Sequence, residues 1–183
     1  MREKLNLIIV VDTSGSMKGK GIGAANDAVL NVIQAVDSFA RSGSLECSVI
    51  IIPYGDDASC SAQSPISEYV WNDASASGVT SFGKACEALR TFLDSRSCHP
   101  GFEDDKNLIV LFSDGTSTDD YTSRFCHLIE SVPFQRADKV AVVIGRCHDE
   151  ETLAAFTGDT RWVLTPDRIE EIQTLLFERF PEQ

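Results

Sequence analysis

The chain has 183 residues, of which 43% are hydrophobic and 24% are charged, and its formal net charge is −12. This length and composition are typical of one globular domain with a full-sized core, so we expect a single domain over residues 1–183. The negative charge argues against binding to nucleic acid or to an anionic membrane. No apolar run approaches the roughly 20 residues that a membrane-spanning helix needs.

Predicted strands and helices alternate along the chain, which indicates an α/β fold. Short apolar runs rich in Val and Ile predict strands, and apolar residues three or four positions apart predict helices. The predicted strands are Leu5–Val11, Leu45–Pro53, a short edge strand near Ile66–Trp71, Leu108–Ser113, Lys139–Gly145 and Arg161–Leu164. The predicted helices are Ile22–Arg41, Ser81–Ser95, Asp120–Ser131, Asp149–Phe156 and a last one that begins at Thr165, Pro166 and Asp167.

The first predicted strand, Leu5–Val11, is followed at once by a turn that contains Asp12, Ser14 and Ser16. The strand is rich in β-branched residues and does not alternate with polar ones, which is typical of a strand buried on both faces. In an open α/β sheet, ligands bind at the carboxyl ends of the strands. The turn therefore brings one carboxylate and two hydroxyl oxygens to such an edge, and these hard donors suit Mg²⁺, Mn²⁺ or Ca²⁺.

Two further segments complete a pattern. Thr80 lies at the mouth of the second predicted helix, and Asp114 follows the fourth predicted strand. The order D-x-S-x-S, then a distant Thr, then a distant Asp, resembles the metal-ion-dependent adhesion site (MIDAS) of von Willebrand factor A domains. The resemblance implies a metal site built by Asp12, Ser14, Ser16, Thr80 and Asp114. It also implies that Ser14, Ser16 and either Thr80 or Asp114 contact the metal, whereas the other carboxylates act largely through water.

The same resemblance implies the architecture. It predicts a doubly wound, Rossmann-like α/β fold whose six-stranded sheet is mostly parallel, in the order 3-2-1-4-5-6, with one antiparallel edge strand and flanking helices. Strands one and four are then neighbours where the strand order reverses, so the three loops meet at the topological switch point. If most direct ligands are neutral hydroxyls, the ion keeps much of its positive charge and leaves a position for an Asp or Glu of a protein partner.

The resemblance predicts a protein-recognition module and not an enzyme. The sequence Ser-Asp-Gly-Thr after the fourth strand and the terminal helix within Asp167–Phe180 are similar to the TerY-like proteins of bacterial tellurium-resistance and stress-response clusters. That branch implies a kinase- or phosphatase-like partner. Because no export signal precedes the first strand, we expect a cytoplasmic protein, and we expect the chain alone to be monomeric.

Two other functions stay open. One is a Mg²⁺-dependent hydrolase or phosphotransferase, although aspartyl-phosphate enzymes carry a second Asp where Ser14 stands, and no general base is evident unless His148 lies near the crevice. The other is a subunit of an AAA-ATPase or chelatase-type complex. Asp119 and Asp120 are expected to favour the start of the next helix, with a role as extra metal ligands as the alternative.

The six cysteines are expected to be free thiols, since no export signal is present. Each of the three histidines follows a cysteine. Zinc sites need separated ligands such as CxxC pairs, and none occurs, so the sequence does not predict a zinc site. These dipeptides are Cys98-His99, Cys126-His127 and Cys147-His148.

Overall fold

The computed structural model describes residues 3–43, 45–97, 105–146 and 149–181. The strands are β1 (Lys4–Asp12), β2 (Glu46–Tyr54), β3 (Ser64–Pro65), β4 (Lys106–Ser113), β5 (Asp138–Val143) and β6 (Val163–Leu164). They form one sheet in the order β3-β2-β1-β4-β5-β6. Every neighbouring pair is parallel except β2 and β3, which are antiparallel. The predicted strand order and the single antiparallel edge strand are therefore confirmed.

Helices cover both faces of this sheet. They are α1 (Lys20–Gly43), α2 (Phe82–Ser97), α3 (Thr122–Ile129), α4 (Val132–Arg136), α5 (Glu150–Thr157) and α6 (Glu171–Arg179). One hydrophobic cluster joins the sheet to α1 and α6, and a second joins it to α2, α3, α4 and α5. The chain is thus a three-layer sandwich with a core on each side of the sheet. None of its described helices is long and apolar enough to cross a membrane.

The central strand, β1, is buried on both faces, so its sequence does not alternate between apolar and polar residues. Leu7, Ile9 and Val11 pack in the cluster under α1, while Ile8 and Val10 pack in the cluster under α2. Each of these five side chains is at most 1% exposed. Because both faces of the strand are buried, apolar residues are needed at every position.

The predicted edge strand near Ile66–Trp71 is wrong in position. The strand is β3, which ends at Pro65, and residues Ile66–Glu68 form a 3-10 turn. Pro65 has no N–H group to continue the ladder with β2. Ile66 is buried, so its apolar side chain anchors the turn to the core instead of extending the strand.

Two of the helical predictions also need correction, the last one and the third. The predicted start at Thr165 is a separate 3-10 turn, Pro166–Arg168, and α6 begins only at Glu171. Thr165 makes no capping hydrogen bond with its side chain. The third predicted helix does end before Pro133, as expected, but a further helix, α4, was missed. Its proline stands in the first turn, where a helix tolerates the missing N–H.

Candidate metal centre

The two candidate aspartates lie at the same edge of the sheet because of how their strands pair. Asp12 is the last residue of β1, and Asp114 directly follows β4. These strands are parallel neighbours, with Val11 opposite Phe112. Parallel strands end at one edge, so the pairing brings the Asp12 and Asp114 carboxylates to the same crevice.

Asp12 is fully buried at the inner end of the candidate site. Its side chain is 0% exposed. One carboxylate oxygen, Oδ1, accepts a hydrogen bond of 2.8 Å from the Ser14 N–H. The other, Oδ2, is buried and has no hydrogen-bond partner among the described residues. A buried polar atom without a partner costs free energy, so Oδ2 requires a compensating group.

The protonation of Asp12 reflects this environment. Burial raises the pKa of Asp12 to about 6, the hydrogen bonds from Ser14 oppose that rise, and the charge of Asp114 adds to it. The nearby Tyr54 hydroxyl lowers the pKa slightly, yet its own hydrogen bond goes to Ser113 Oγ at 3.1 Å. The ionised form of Asp12 is disfavoured by desolvation and by repulsion from Asp114, and a bound cation would stabilise it.

The two serines connect this buried carboxylate to the surface. Ser14 is 0% exposed, whereas Ser16 is exposed. Their hydroxyl oxygens are 3.0 Å apart, which is hydrogen-bond distance. The three donors of the first motif therefore lie in one row, from a buried oxygen of Asp12 to an oxygen that solvent or a partner reaches.

Backbone pairing fixes the loop that carries Thr80 to this row. The Ser77 N–H donates to the Thr13 carbonyl at 2.8 Å, and the Gly15 N–H donates to the Gly78 carbonyl at 3.0 Å. A Cβ added at Gly15 would lie 2.7 Å from the Gly78 carbonyl oxygen, so only glycine permits this approach. The glycine in the first motif thus serves the assembly of the site.

Thr80 is in turn bonded to the loop after β4. Its carbonyl accepts hydrogen bonds from the N–H and the Oγ1 of Thr118, both at 2.9 Å. Its N–H donates to Thr118 Oγ1 at 3.2 Å. Thr80 is 2% exposed. All three loops of the sequence pattern are therefore joined by direct hydrogen bonds.

Asp114 is oriented in the same way as Asp12. Its Oδ1 accepts a hydrogen bond of 2.8 Å from the N–H of Thr116, two residues further along. Asp114 is 8% exposed and is therefore slightly more open than Asp12. In both aspartates a local backbone bond uses one oxygen, which fixes the side chain and leaves the second oxygen available to a ligand.

A polar layer that the sequence did not reveal lies beneath the site. Tyr54, the last residue of β2, is 1% exposed. Its hydroxyl donates to Ser113 Oγ, which also accepts from the Gly115 N–H at 3.0 Å. Burial raises the pKa of Tyr54 well above its usual value, so it stays a neutral donor. The only sequence signal was its place at the end of a buried strand.

Asp119 has a different role from the expected one. It accepts hydrogen bonds from Ser117 Oγ at 2.7 Å and from the Gly83 N–H at 3.1 Å, so it caps the start of α2 and not of α3. Asp120 does lie at the start of α3, where it accepts from the Thr122 N–H at 3.3 Å. The sequence could not distinguish these roles because the partner of Asp119 lies 36 positions away.

The donor set of the site is poor in charge. The described part of the chain holds no group of three or more His, Cys, Asp or Glu residues that could bind a metal. The five candidate residues offer two carboxylates and three hydroxyls, which is a set for a hard cation. Of the histidines, His127 is exposed on α3, while His99 and His148 fall outside the described residues.

The described cysteines are not paired. Cys47, Cys60, Cys86 and Cys126 are free thiols. Cys98 and Cys147 fall outside the described residues, so the expectation of six free thiols is supported for four of them. Burial raises the pKa of Cys47 to about 12, which makes it an inert core residue.

The sequence of residues 6–176 matches the von Willebrand factor type A domain. The chain belongs to this family. Domains of this family are in general interaction modules and not enzymes, and they bind a divalent metal at the MIDAS. No match was found among curated protein sequences.

Several solved structures are similar in fold. The pilus adhesin SpaC from Lactobacillus rhamnosus GG, in its open conformation, has a TM-score of 0.68 at 12% identity over 97% of this chain and 30% of its own. Proximal thread matrix protein 1 from the mussel byssus, with a zinc-occupied MIDAS motif, has a TM-score of 0.66 at 13% identity. The match covers 96% of this chain and 46% of that protein. BatB from Bacteroides thetaiotaomicron has a TM-score of 0.60 at 12% identity, and the match covers 98% of this chain and 100% of that protein.

This chain therefore spans about a third to a half of the length of the first two proteins. Identities this low establish a common fold and nothing further. The activity and the partners of those proteins do not transfer to this chain.

Proposed function

We propose that this domain is a metal-ion-dependent protein-recognition module. Asp12, Ser14, Ser16, Thr80 and Asp114 would hold one divalent cation, which we take to be Mg²⁺, with Mn²⁺ or Ca²⁺ as substitutes. The cation, when bound, supplies a positive charge that attracts a carboxylate of a partner. The residues of this chain position that charge and exclude water from its inner side.

The observation that carries this proposal is the unsatisfied oxygen of Asp12. Its Oδ2 is fully buried without a hydrogen-bond partner among the described residues. None of the described Lys or Arg side chains forms an ion pair with Asp12 or Asp114. A cation from solution would satisfy the carboxylate that the chain itself leaves uncompensated.

The chemistry of the donors supports recognition of an acidic partner. The resemblance implies that the direct ligands are mostly neutral hydroxyls, with at most one carboxylate, so a divalent ion keeps part of its positive charge. Mg²⁺ prefers six oxygen ligands and usually keeps waters, so one ligand position remains for an Asp or Glu of a protein partner. At the surface, Ser16 is exposed, and Val79 beside Thr80 is 52% exposed, so a partner reaches both.

Metal binding is tested by calorimetry with Mg²⁺ and Mn²⁺. We expect Asp12→Ala and Asp114→Ala to abolish binding while the fold persists, since Asp12 is the last residue of β1 and Asp114 follows the end of β4, at the edge of the sheet. Asp120→Ala is the matched control, because it removes an exposed acid from the same segment as Asp114. Unchanged metal affinity in both site variants would contradict the proposed ligands.

Partner binding is tested by affinity capture with Mg²⁺ and with EDTA, read by mass spectrometry. We expect EDTA and Asp12→Ala to release the same protein. Thr80→Ala should weaken capture even where metal remains bound, because it removes the hydroxyl that we propose as a metal ligand while the backbone hydrogen bonds of residue 80 to the neighbouring loop remain. A partner whose affinity is indifferent to EDTA and to Asp12→Ala would show that recognition does not depend on the metal.

The biological setting is proposed from the resemblance alone. We place the domain beside TerY-like proteins, in a bacterial tellurium-resistance or stress-response system, with a kinase- or phosphatase-like partner. We also propose that residues 1–183 act as one domain, monomeric without its partner, in the cytoplasm. Identification of the captured partner tests the first proposal, and sedimentation tests the oligomeric state.

A further inference from the structure

A cavity lies at the edge of the sheet opposite the candidate metal centre. It has a volume of about 440 Å³ and opens at the amino-terminal ends of β4 and β5, beside α6 and the turn after α5. The eight residues of β4 separate it from the candidate metal centre, which is about 25 Å at the usual rise of a strand. The two sites are therefore distinct, and this inference does not depend on the proposed function.

The cavity reverses the charge balance of the chain. Over the whole sequence, 28 acidic residues outnumber 16 basic ones. The lining of the cavity carries five basic side chains and three acidic ones. The basic residues are Lys106, Arg136, Lys139, Arg161 and Arg179, and the acidic residues are Asp138, Asp159 and Glu178.

Internal contacts hold three of these cations in place. Arg179 donates from Nε to Asp138 at 2.7 Å, and Arg161 donates from Nη2 to Asp159 at 2.7 Å. Lys139 donates to the Ala137 carbonyl at 2.7 Å, at the end of α4. Two of the three acidic side chains are thereby neutralised by the two arginines.

Positive charge remains after these pairs are formed. Lys106 and Arg136 form no ion pair with any described residue. A guanidinium has five N–H donors, and the bond to Asp138 uses only the Nε donor of Arg179. The cavity thus holds free donors on a guanidinium that a carboxylate already orients, together with two cations that have no ion pair among the described residues.

We propose that this cavity binds a small phosphate-bearing ligand. Guanidinium groups match the geometry of phosphate oxygens, and a cavity of this volume is within the range of small-molecule sites. The excess of two basic side chains matches the charge of a phosphate dianion. Trp162 is half-buried in the lining and offers an aromatic surface for any ring attached to the phosphate.

The test uses the fluorescence of Trp162 in a Trp71→Phe background. The chain has two tryptophans, so this variant leaves a single reporter, which lines the cavity. Inorganic phosphate, pyrophosphate and AMP are titrated separately, in EDTA, so that no divalent ion can bind the probe at the other edge. The three probes distinguish a free phosphate from a phosphate monoester that carries a ring.

We expect at least one probe to bind, and the double variant Lys106→Gln/Arg136→Gln to weaken it by about tenfold or more. Lys18→Gln/Arg168→Gln changes the net charge equally outside the cavity and should have less than about a twofold effect. Both replaced pairs are exposed, so folding should persist in each variant. Equal losses in both double variants, or binding of no phosphate probe, would each overturn the proposal.

Discussion

The two edges of the sheet treat aspartate in opposite ways. At the amino-terminal edge, Asp138 is paired with Arg179 and Asp159 with Arg161. At the carboxyl-terminal edge, Asp12 is more deeply buried than either of them, yet it has no cationic partner among the described residues. Two partly exposed acids are thus paired with arginines, whereas the buried Asp12 is left without a cationic partner among the described residues, which points to a cation from outside at Asp12.

The strongest test of this difference between the two edges is a substitution that removes the charge of Asp12 and keeps its shape. For the wild type, Mg²⁺ at about 100 times its dissociation constant should raise the free energy of unfolding by about 2.7 kcal/mol. In Asp12→Asn that increase should vanish, because the carboxylate that compensates the ion is gone. Urea unfolding with and without Mg²⁺ measures both values.

The same variant has a second expected outcome without metal. Asp12→Asn should be no less stable than the wild type in EDTA, since the replacement removes a desolvated charge and its repulsion by Asp114. If instead the metal-free variant lost stability while Mg²⁺ still stabilised it, Asp12 would be a structural residue and the contrast between the edges would fail.

A smaller effect is expected from the loop contact that closes the carboxyl-terminal edge. In Gly15→Ala the new methyl group would lie 2.7 Å from the Gly78 carbonyl oxygen, so the two loops must separate. We expect a loss of about 1–3 kcal/mol in the free energy of unfolding and weaker Mn²⁺ binding by electron paramagnetic resonance.

Gly23→Ala is the matched control for this change. Gly23 lies in α1, and an added Cβ would meet nothing within 4 Å. It should stabilise the protein by about 0.5–1 kcal/mol through helix propensity and leave Mn²⁺ binding unchanged. Similar effects of both alanines would mean that the loop contact does not matter for the site.

The smallest effect is expected at the amino-terminal edge. The side chain of Arg179 is 53% exposed and that of Asp138 is 21% exposed, so solvent screens their attraction. A double-mutant cycle with Arg179→Gln and Asp138→Asn should give a coupling of about 0.2–1 kcal/mol that Mg²⁺ does not change. If the coupling energy depended on Mg²⁺, the two edges of the sheet would not be energetically independent, contrary to our expectation.

How far the sequence predicts this molecule depends on the range of the interactions. The buried strands were predictable because both faces of β1 need apolar residues, and the candidate site was noticeable because its two acidic residues end or follow two such strands. The positions of Asp12 and Asp114 at a common edge follow from strand order alone. These features depend on runs of a few consecutive residues, so the sequence pattern alone predicts them.

The errors have long-range or steric causes. Ile66 was predicted to begin the edge strand, but it lies in a 3-10 turn that buries its side chain in the core, and the strand ends before it. Asp119 lies next to α3 in sequence but caps α2 in space. The bonds that join Thr13, Gly15 and Thr80 to other loops involve backbone atoms, which leave no mark in residue type except the glycine.

The pairing of β1 with β4 also has a consequence for folding kinetics. Leu5 pairs with Lys106 and Val11 with Phe112, so the two halves of the candidate site meet only after about a hundred residues have been enclosed between them. Such distant pairings form slowly and late. A cation that needs both aspartates would then find no site in the early folding ensemble. It would bind only the finished domain, lengthening the lifetime of the native state and leaving the folding rate nearly unchanged.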